Sequence, residues 1–306
     1  MAILKLKPAC KDYTWGGKRL AEEFGVEYDK GILAEAWILS CHPDGLTRLE
    51  NAETLADYIK QHGAKILGTN CQHFKDFPIL IKFIDAKEKL SVQVHPPDEY
   101  ALIHEGQLGK MEMWYVLDAE EDSMLWCGFN KEISRDEFIA RIKDNSLVEV
   151  LNAVPARKGE VIFIPAGTVH AIGKGVLIVE IQSNSNVTYR IYDYGRNRAL
   201  HIKQALEVTK FKPVKVYGEN YQHLAVCDYF VVDKLILDGK FLSEAQGNID
   251  DKSFLSVVIV DGNGKISCGD DEIYYSKGDS FFLTANAGNW KICGKCHALL
   301  TTVPAL

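Results

Sequence analysis

The sequence predicts a mainly all-β protein of two small jelly-roll barrels carrying short helical inserts. Two observations predict this. Short apolar runs separated by Gly-bearing turns recur along most of the 306 residues, at a density suited to small barrels. The later part of the chain also echoes the earlier part: Lys158-Gly159-Glu160-Val161-Ile162-Phe163-Ile164 returns as Lys277-Gly278-Asp279-Ser280-Phe281-Phe282-Leu283, and Tyr115-Val116-Leu117-Asp118 as Val258-Ile259-Val260-Asp261.

Helical signals are confined to a few places. In Thr54 to Ile66, residues Leu55, Tyr58, Ile59 and Ile66 fall at roughly helical spacing. Pro96-Pro97 stops a preceding strand, and Asp98 to Gly109 is long enough for a turn of helix and a loop before a neighbouring strand returns. Ser134-Arg135-Asp136-Glu137 is a capping box that opens a helical insert over residues 134–152. Residues 201–210 give one more short helix, ended by Phe211-Lys212-Pro213. A linker is expected near 211–235, with Tyr217-Gly218-Glu219-Asn220 its most turn-like segment. Beyond it, Gly262-Asn263-Gly264-Lys265 reads as a hairpin turn, and Gly294-Lys295 as a tight turn joining strands 289–292 and 297–303.

The chemistry-bearing residues sit in the first barrel. Gln93 and His95 are two apart, as are Lys110 and Glu112, so on extended strands each pair points to one face. The alternating Val92, Val94, Met111 and Met113 are apolar, as expected where the other face is packed. His170 follows an apolar run broken by Pro165 and Gly167 and so lies just past a turn. Two imidazoles, a carboxylate and an amide oxygen suit a divalent metal with room for water or substrate.

These motifs carry a resemblance. QVHP, GKMEMWYVL, KGEVIFIPAGTVHAI and NVTYRIYDYGR, together with Tyr13-Thr14-Trp15-Gly16-Gly17, Ala34 to Ser40 and Pro78 to Asp85, resemble the short bacterial form of type I mannose-6-phosphate isomerase through most of residues 8–205. That family is zinc-dependent and belongs to the cupin superfamily. The resemblance implies one zinc at His95, Glu112 and His170, with Gln93 as a fourth ligand, and a catalytic Arg190. It also places Glu180 and Lys110 around the active site and nominates Ser91, Lys82 and Arg196 for a substrate phosphate. The implied organisation is a tandem cupin, with a metal-binding catalytic domain at 1–235 and a cupin-like domain at 236–306. Carrying the internal echo forward puts Asn289 where His170 stands and Leu255 where Glu112 stands, so the second domain is expected to hold no metal.

Moving a proton between C1 and C2 of a sugar needs a polarised carbonyl, a stabilised oxyanion and a base. Arg190 supplies a permanent cation, against the alternative of an ion pair with Asp193. The base is left open among Glu180, which partial burial would make more basic, Lys110, whose neutral amine a nearby metal would favour, and a bound hydroxide. The expected activity interconverts mannose 6-phosphate and fructose 6-phosphate. An iron oxygenase shares the two-His, one-carboxylate set, and a non-catalytic sugar-binding cupin would need the metal only for structure.

With 47% hydrophobic residues the chain can bury a large core. A net charge of -7 argues against nucleic acid as partner, so an anionic sugar phosphate must meet a local basic cluster. No signal-like or membrane-spanning apolar run is seen, and a cytoplasmic monomer or weak homodimer with free thiols is expected. Cys293-Gly294-Lys295-Cys296-His297 fits haem attachment or half a zinc knuckle, but export and a second ligand pair are lacking.

Overall fold

The computed structural model describes residues 2–214 and 223–306. The chain divides into two compact units, one made of residues 2–11, 18–82 and 223–306, the other of 12–17 and 83–214. This differs from the expected cut at 235/236. Strand Ile3–Lys7 is hydrogen-bonded to Ser280–Leu283, and Val231–Asp238 runs across the expected boundary while pairing along its length with Gly288–Thr302. Segments far apart in sequence thus complete one sheet, which local patterning does not report. The segment expected as the linker's turn, 217–220, lies outside the described residues.

In the 12–17 and 83–214 unit, a five-stranded sheet runs in the order Tyr189–Tyr192, Val92–Val94, His170–Ile172, Met124–Phe129 and Leu151–Pro155. Its strands alternate. Val92, Val94, Ala171, Tyr189 and Ile191 join a buried cluster with Phe138, Leu147, Ala205 and Val208. The helices Arg135–Lys143 and Ile202–Val208 therefore cover one face of this sheet. Gln93, His170 and Arg190 take the alternate positions, and a one-residue slip would turn them into the apolar cluster. The first helix begins as the capping box predicts: Ser134 Oγ accepts from Glu137 N–H at 3.0 Å. It ends at Lys143, and the rest of the expected insert is a 3-10 turn, Leu147–Val150, and the edge strand.

A second layer holds Val161–Ile164, Glu112–Ala119 and Val176–Ser183 in that order. The strand carrying Glu112 is therefore not the hydrogen-bonded neighbour of the Val92–Val94 strand that the connection through helix Asp98–His104 suggested. It belongs to the other layer, and contacts of Glu112 with both histidines show that the layers face each other.

In the other unit, Leu255–Cys268 and Gly288–Thr302 are single long strands paired from Ser256↔Thr301 to Cys268↔Trp290. The turns expected at Gly262–Lys265 and Gly294–Lys295 are absent because these glycines serve close strand approach. A Cβ on Gly264 would stand 2.0 Å from Cys293 O, and one on Gly294 2.6 Å from Asn263 O. The internal echo, by contrast, has a structural counterpart. Val116 N–H bonds Glu160 O and Gly159 N–H bonds Val116 O, while Ile259 N–H bonds Asp279 O and Gly278 N–H bonds Ile259 O. Gly159 and Gly278 take φ of 87° and 92°, the left-handed region that glycine supplies at least cost. Helix Leu55–His62, capped by Thr54, also lies in this unit and ends at Gly63.

Candidate metal centre

His95 follows the Val92–Val94 strand, His170 opens the His170–Ile172 strand, and Glu112 opens the strand facing them. The ligand atoms of the three lie within 4.8 Å of one another, and all three residues are buried. His95 Nδ1 is 2.8 Å from Val187 O and His170 Nδ1 is 2.8 Å from Thr168 O. A carbonyl only accepts, so each Nδ1 carries the proton and each Nε2 presents a lone pair. Those Nε2 atoms stand 3.5 Å and 3.4 Å from Glu112 Oε2 and Oε1.

Electrostatics keep this set in ligand form. Burial pushes His95 down to about 4 and also lowers His170, so both rings are neutral near pH 7. Burial alone would raise Glu112, but the Lys110 charge outweighs it and holds the carboxyl well below its usual range. His95 Nε2 and both Glu112 oxygens are buried without a hydrogen bond. Lys110 Nζ approaches Glu112 Oε2 to 2.8 Å as an ion pair, though off the direction of a hydrogen bond. Orphaned acceptors of this kind are costly to bury, and a divalent cation would satisfy their lone pairs. The residues fit a metal.

Gln93 sits opposite His170 in the sheet, but its amide nitrogen is 3.2 Å from His170 Nε2 while its oxygen accepts from Ser91 Oγ at 3.3 Å. Ligation through the oxygen requires the amide to turn over. Arg190 sits opposite Gln93 on the other side, so Arg190, Gln93 and His170 form one row across three strands. The expected alternative for Arg190 is not formed: Asp193 pairs with Arg198 at 2.6 Å and Arg196 at 2.9 Å. Arg190 Nη1 donates to Ala199 O at 2.9 Å, and its Nε is buried without a partner.

The two residues weighed as bases form a pair. Lys110 Nζ donates to Glu180 Oε1 at 3.1 Å, and Trp114 Nε1 donates to Glu180 Oε2 at 3.1 Å, all buried. Glu180 reaches this position because it is directly opposite Trp114, two residues along from Glu112. Trp114 was not singled out from sequence, although its place in the Glu112 alternation was the available signal.

Arg196 lines an open cleft of about 300 Å³ with Thr14, Trp15, Glu88, Lys89 and Tyr194. Ser91 is buried beside Gln93. Lys82 belongs to the other unit, 3.7 Å from Glu35 and 5.0 Å from the Trp37 ring. Lys89, 5.6 Å from the Tyr194 ring, is a second cation of the cleft that the sequence reading passed over.

Residues 3–126 match the family model for the phosphomannose isomerase type I catalytic domain, and residues 220–303 that for the mannose-6-phosphate isomerase cupin domain. The mannose-6-phosphate isomerase ManA of Bacillus subtilis is 34% identical over 97% of this chain and 98% of its own length. The chain belongs to the type I phosphomannose isomerase family. Its fold agrees: the mannose 6-phosphate isomerase structure from Bacillus subtilis superposes with a TM-score of 0.89 at 30% identity, covering 98% of this chain and 99% of that one. A further mannose 6-phosphate isomerase structure, described as bound with zinc and yttrium, covers both chains fully at a TM-score of 0.79; at 18% identity it speaks for the cupin fold alone. In this phosphomannose isomerase family member, the His95, Glu112 and His170 cluster spans the end of the catalytic match and the residues after it.

Proposed function

We propose that this chain is a zinc-dependent isomerase that interconverts mannose 6-phosphate and fructose 6-phosphate through an enediol or enediolate. The observation that carries the reading is the buried His95, Glu112 and His170 cluster beside the Lys110–Glu180 pair. His95, Glu112 and His170 would hold the metal, with Gln93 joining after its amide turns. When bound, the metal supplies Lewis acidity to a sugar carbonyl and an anchor for neighbouring oxygens. Arg190 sets a permanent cation where oxyanion charge develops. Lys110 and Glu180 act as one proton-handling unit: the 3.1 Å hydrogen bond lets a proton taken at one group be shared with the other, and Trp114 fixes the carboxylate's direction.

Arg196, supported by Lys89, is the best placed of the phosphate candidates, because both line the cleft. Ser91 would act through Gln93, and Lys82 is already engaged with Glu35. The metal site falls within residues 1–235, and 236–306 carries none: Leu255 and Asn289 stand where the echo places Glu112 and His170. We place the enzyme in the cytoplasm as a monomer or weak homodimer; among the described residues no helix is long and apolar enough to cross a membrane.

The test is metal analysis of the purified protein joined to isomerase assay in deuterated water. The expected result is one zinc per chain, activity lost on chelation, and solvent deuterium at C2 of mannose 6-phosphate or C1 of fructose 6-phosphate. Full activity in verified metal-free protein would overturn the metal's role. Strict absence of deuterium over long incubation would replace the enediol path by a hydride shift and remove Glu180 and Lys110 as bases.

A further inference from the structure

Arg190 lies on Tyr189–Tyr192, the edge strand of the five-stranded sheet. One side of that strand pairs with Val92–Val94, and among the described residues the other has no strand to satisfy its backbone. His201 fills this role for one residue. Its backbone N–H donates to Arg190 O at 2.8 Å, and its ring Nδ1 accepts from Arg190 N–H at 3.2 Å. Two residues earlier on the same segment, Ala199 O accepts from Arg190 Nη1 at 2.9 Å. Segment 199–201 therefore grips Arg190 at its backbone donor, its backbone acceptor and its guanidinium. The grip leaves the buried Nε and the second terminal nitrogen to face other partners.

The imidazole bond is the one element of this grip that a backbone alone cannot supply. An Nδ1 that accepts requires a neutral ring protonated at Nε2. The ring is steadied by the Tyr189 ring at 6.1 Å, and Tyr189 is itself tied to Glu105 Oε1 at 2.7 Å. Among the described residues no other side chain bonds the Arg190 backbone.

We infer that His201 is a positioning residue for the isomerisation, its Nδ1 lone pair fixing the Arg190 backbone so that the guanidinium is presented in one orientation. This rests on the reading that Arg190 stabilises the oxyanion. A guanidinium displaced by about 1 Å loses on the order of a hundredfold in rate, whereas the metal ligands and the fold are untouched.

The experiment exploits ring geometry. Asn carries its oxygen on the same γ carbon that carries Nδ1, whereas Gln carries it one atom further out. In the metal-loaded full chain, His201→Asn is expected to keep kcat within roughly threefold, while His201→Gln and His201→Ala lower kcat by roughly tenfold to a hundredfold. Metal content and Tm of all three should stay close to the parent. Equal loss in the Asn and Gln variants, or a kcat loss that tracks Tm, overturns the inference. Arg190→Ala separates the two readings. If it keeps turnover, the role of Arg190 falls and this inference with it; if it loses turnover while the Asn and Gln variants behave alike, only the role of His201 falls.

Discussion

At the scale of the residue, the candidate centre depends on two carbonyl groups as much as on His95, Glu112 and His170. Val187 O and Thr168 O choose the tautomer of His95 and His170, and burial keeps both rings unprotonated. Their lone pairs thus exist before any ion arrives. His95→Ala or His170→Ala removes one of three strong donors, and each is expected to lower metal stoichiometry well below one per chain after dialysis. Retention of a full equivalent by both variants would show that the ion binds elsewhere. Lys110 is a less obvious feature, since its ammonium would repel a cation bound at the candidate centre. Its second partner Glu180 offsets that cost, and the two carboxylates together outnumber the single ammonium.

At the scale of the element, the segment after strand Tyr189–Tyr192 is held by Asp193, whose buried carboxylate takes Arg198 through two hydrogen bonds and Arg196 through an ion pair. Burial pushes this carboxyl up, but the Arg198 hydrogen bonds and the charges of Arg198, Arg196 and Arg190 outweigh it, leaving it below its usual value of 3.8. A carboxyl lowered on folding contributes stability above its unfolded pKa and loses it as pH falls through the folded value. Asp193→Asn is therefore expected to lower Tm at pH 7, and the gap from the parent should narrow as the pH drops below about 4. A gap unchanged from pH 7 to pH 3 would remove charge pairing as the cause.

At the scale of the whole molecule, the sheet of the 223–306 region is completed from the other end of the chain, through Ile3–Lys7 and Arg48–Leu49. Deleting 236–306 removes Ser280–Leu283 and Gly288–Thr302 and exposes Ile3, Leu4, Leu6 and Val232, all buried in the intact chain. The expected product is insoluble protein rather than a smaller active enzyme. A soluble, metal-binding fragment would show that the first barrel folds without this sheet. In contrast, Asn289→Ala and Cys293→Ser should leave metal content and turnover nearly unchanged. The Asn289 side chain accepts from Asn248 Nδ2 at 2.9 Å, and Cys293 lies within an unbroken strand. A drop in metal content in either variant would contradict an empty second barrel.

Much of this protein was legible in one dimension. Period-two alternation put Gln93 opposite the packed Val92 and Val94 on its strand; the Ser134 box marked a helix start; and the internal echo marked equivalent segments whose backbone bonds coincide. All of these are local, because a strand's facing and a cap's donor are fixed within a few residues. What only the tertiary structure decided involves partners far apart in the chain. Glu112 reaches the histidines from the opposite layer, Glu180 and Lys110 become one pair across 70 residues, and the ends of the chain share a sheet. The glycines at 262 and 294 misled for the same reason. In isolation a glycine signals a turn, but here its missing side chain is needed where one strand's backbone passes close to another's, and that neighbour is chosen by packing rather than by sequence.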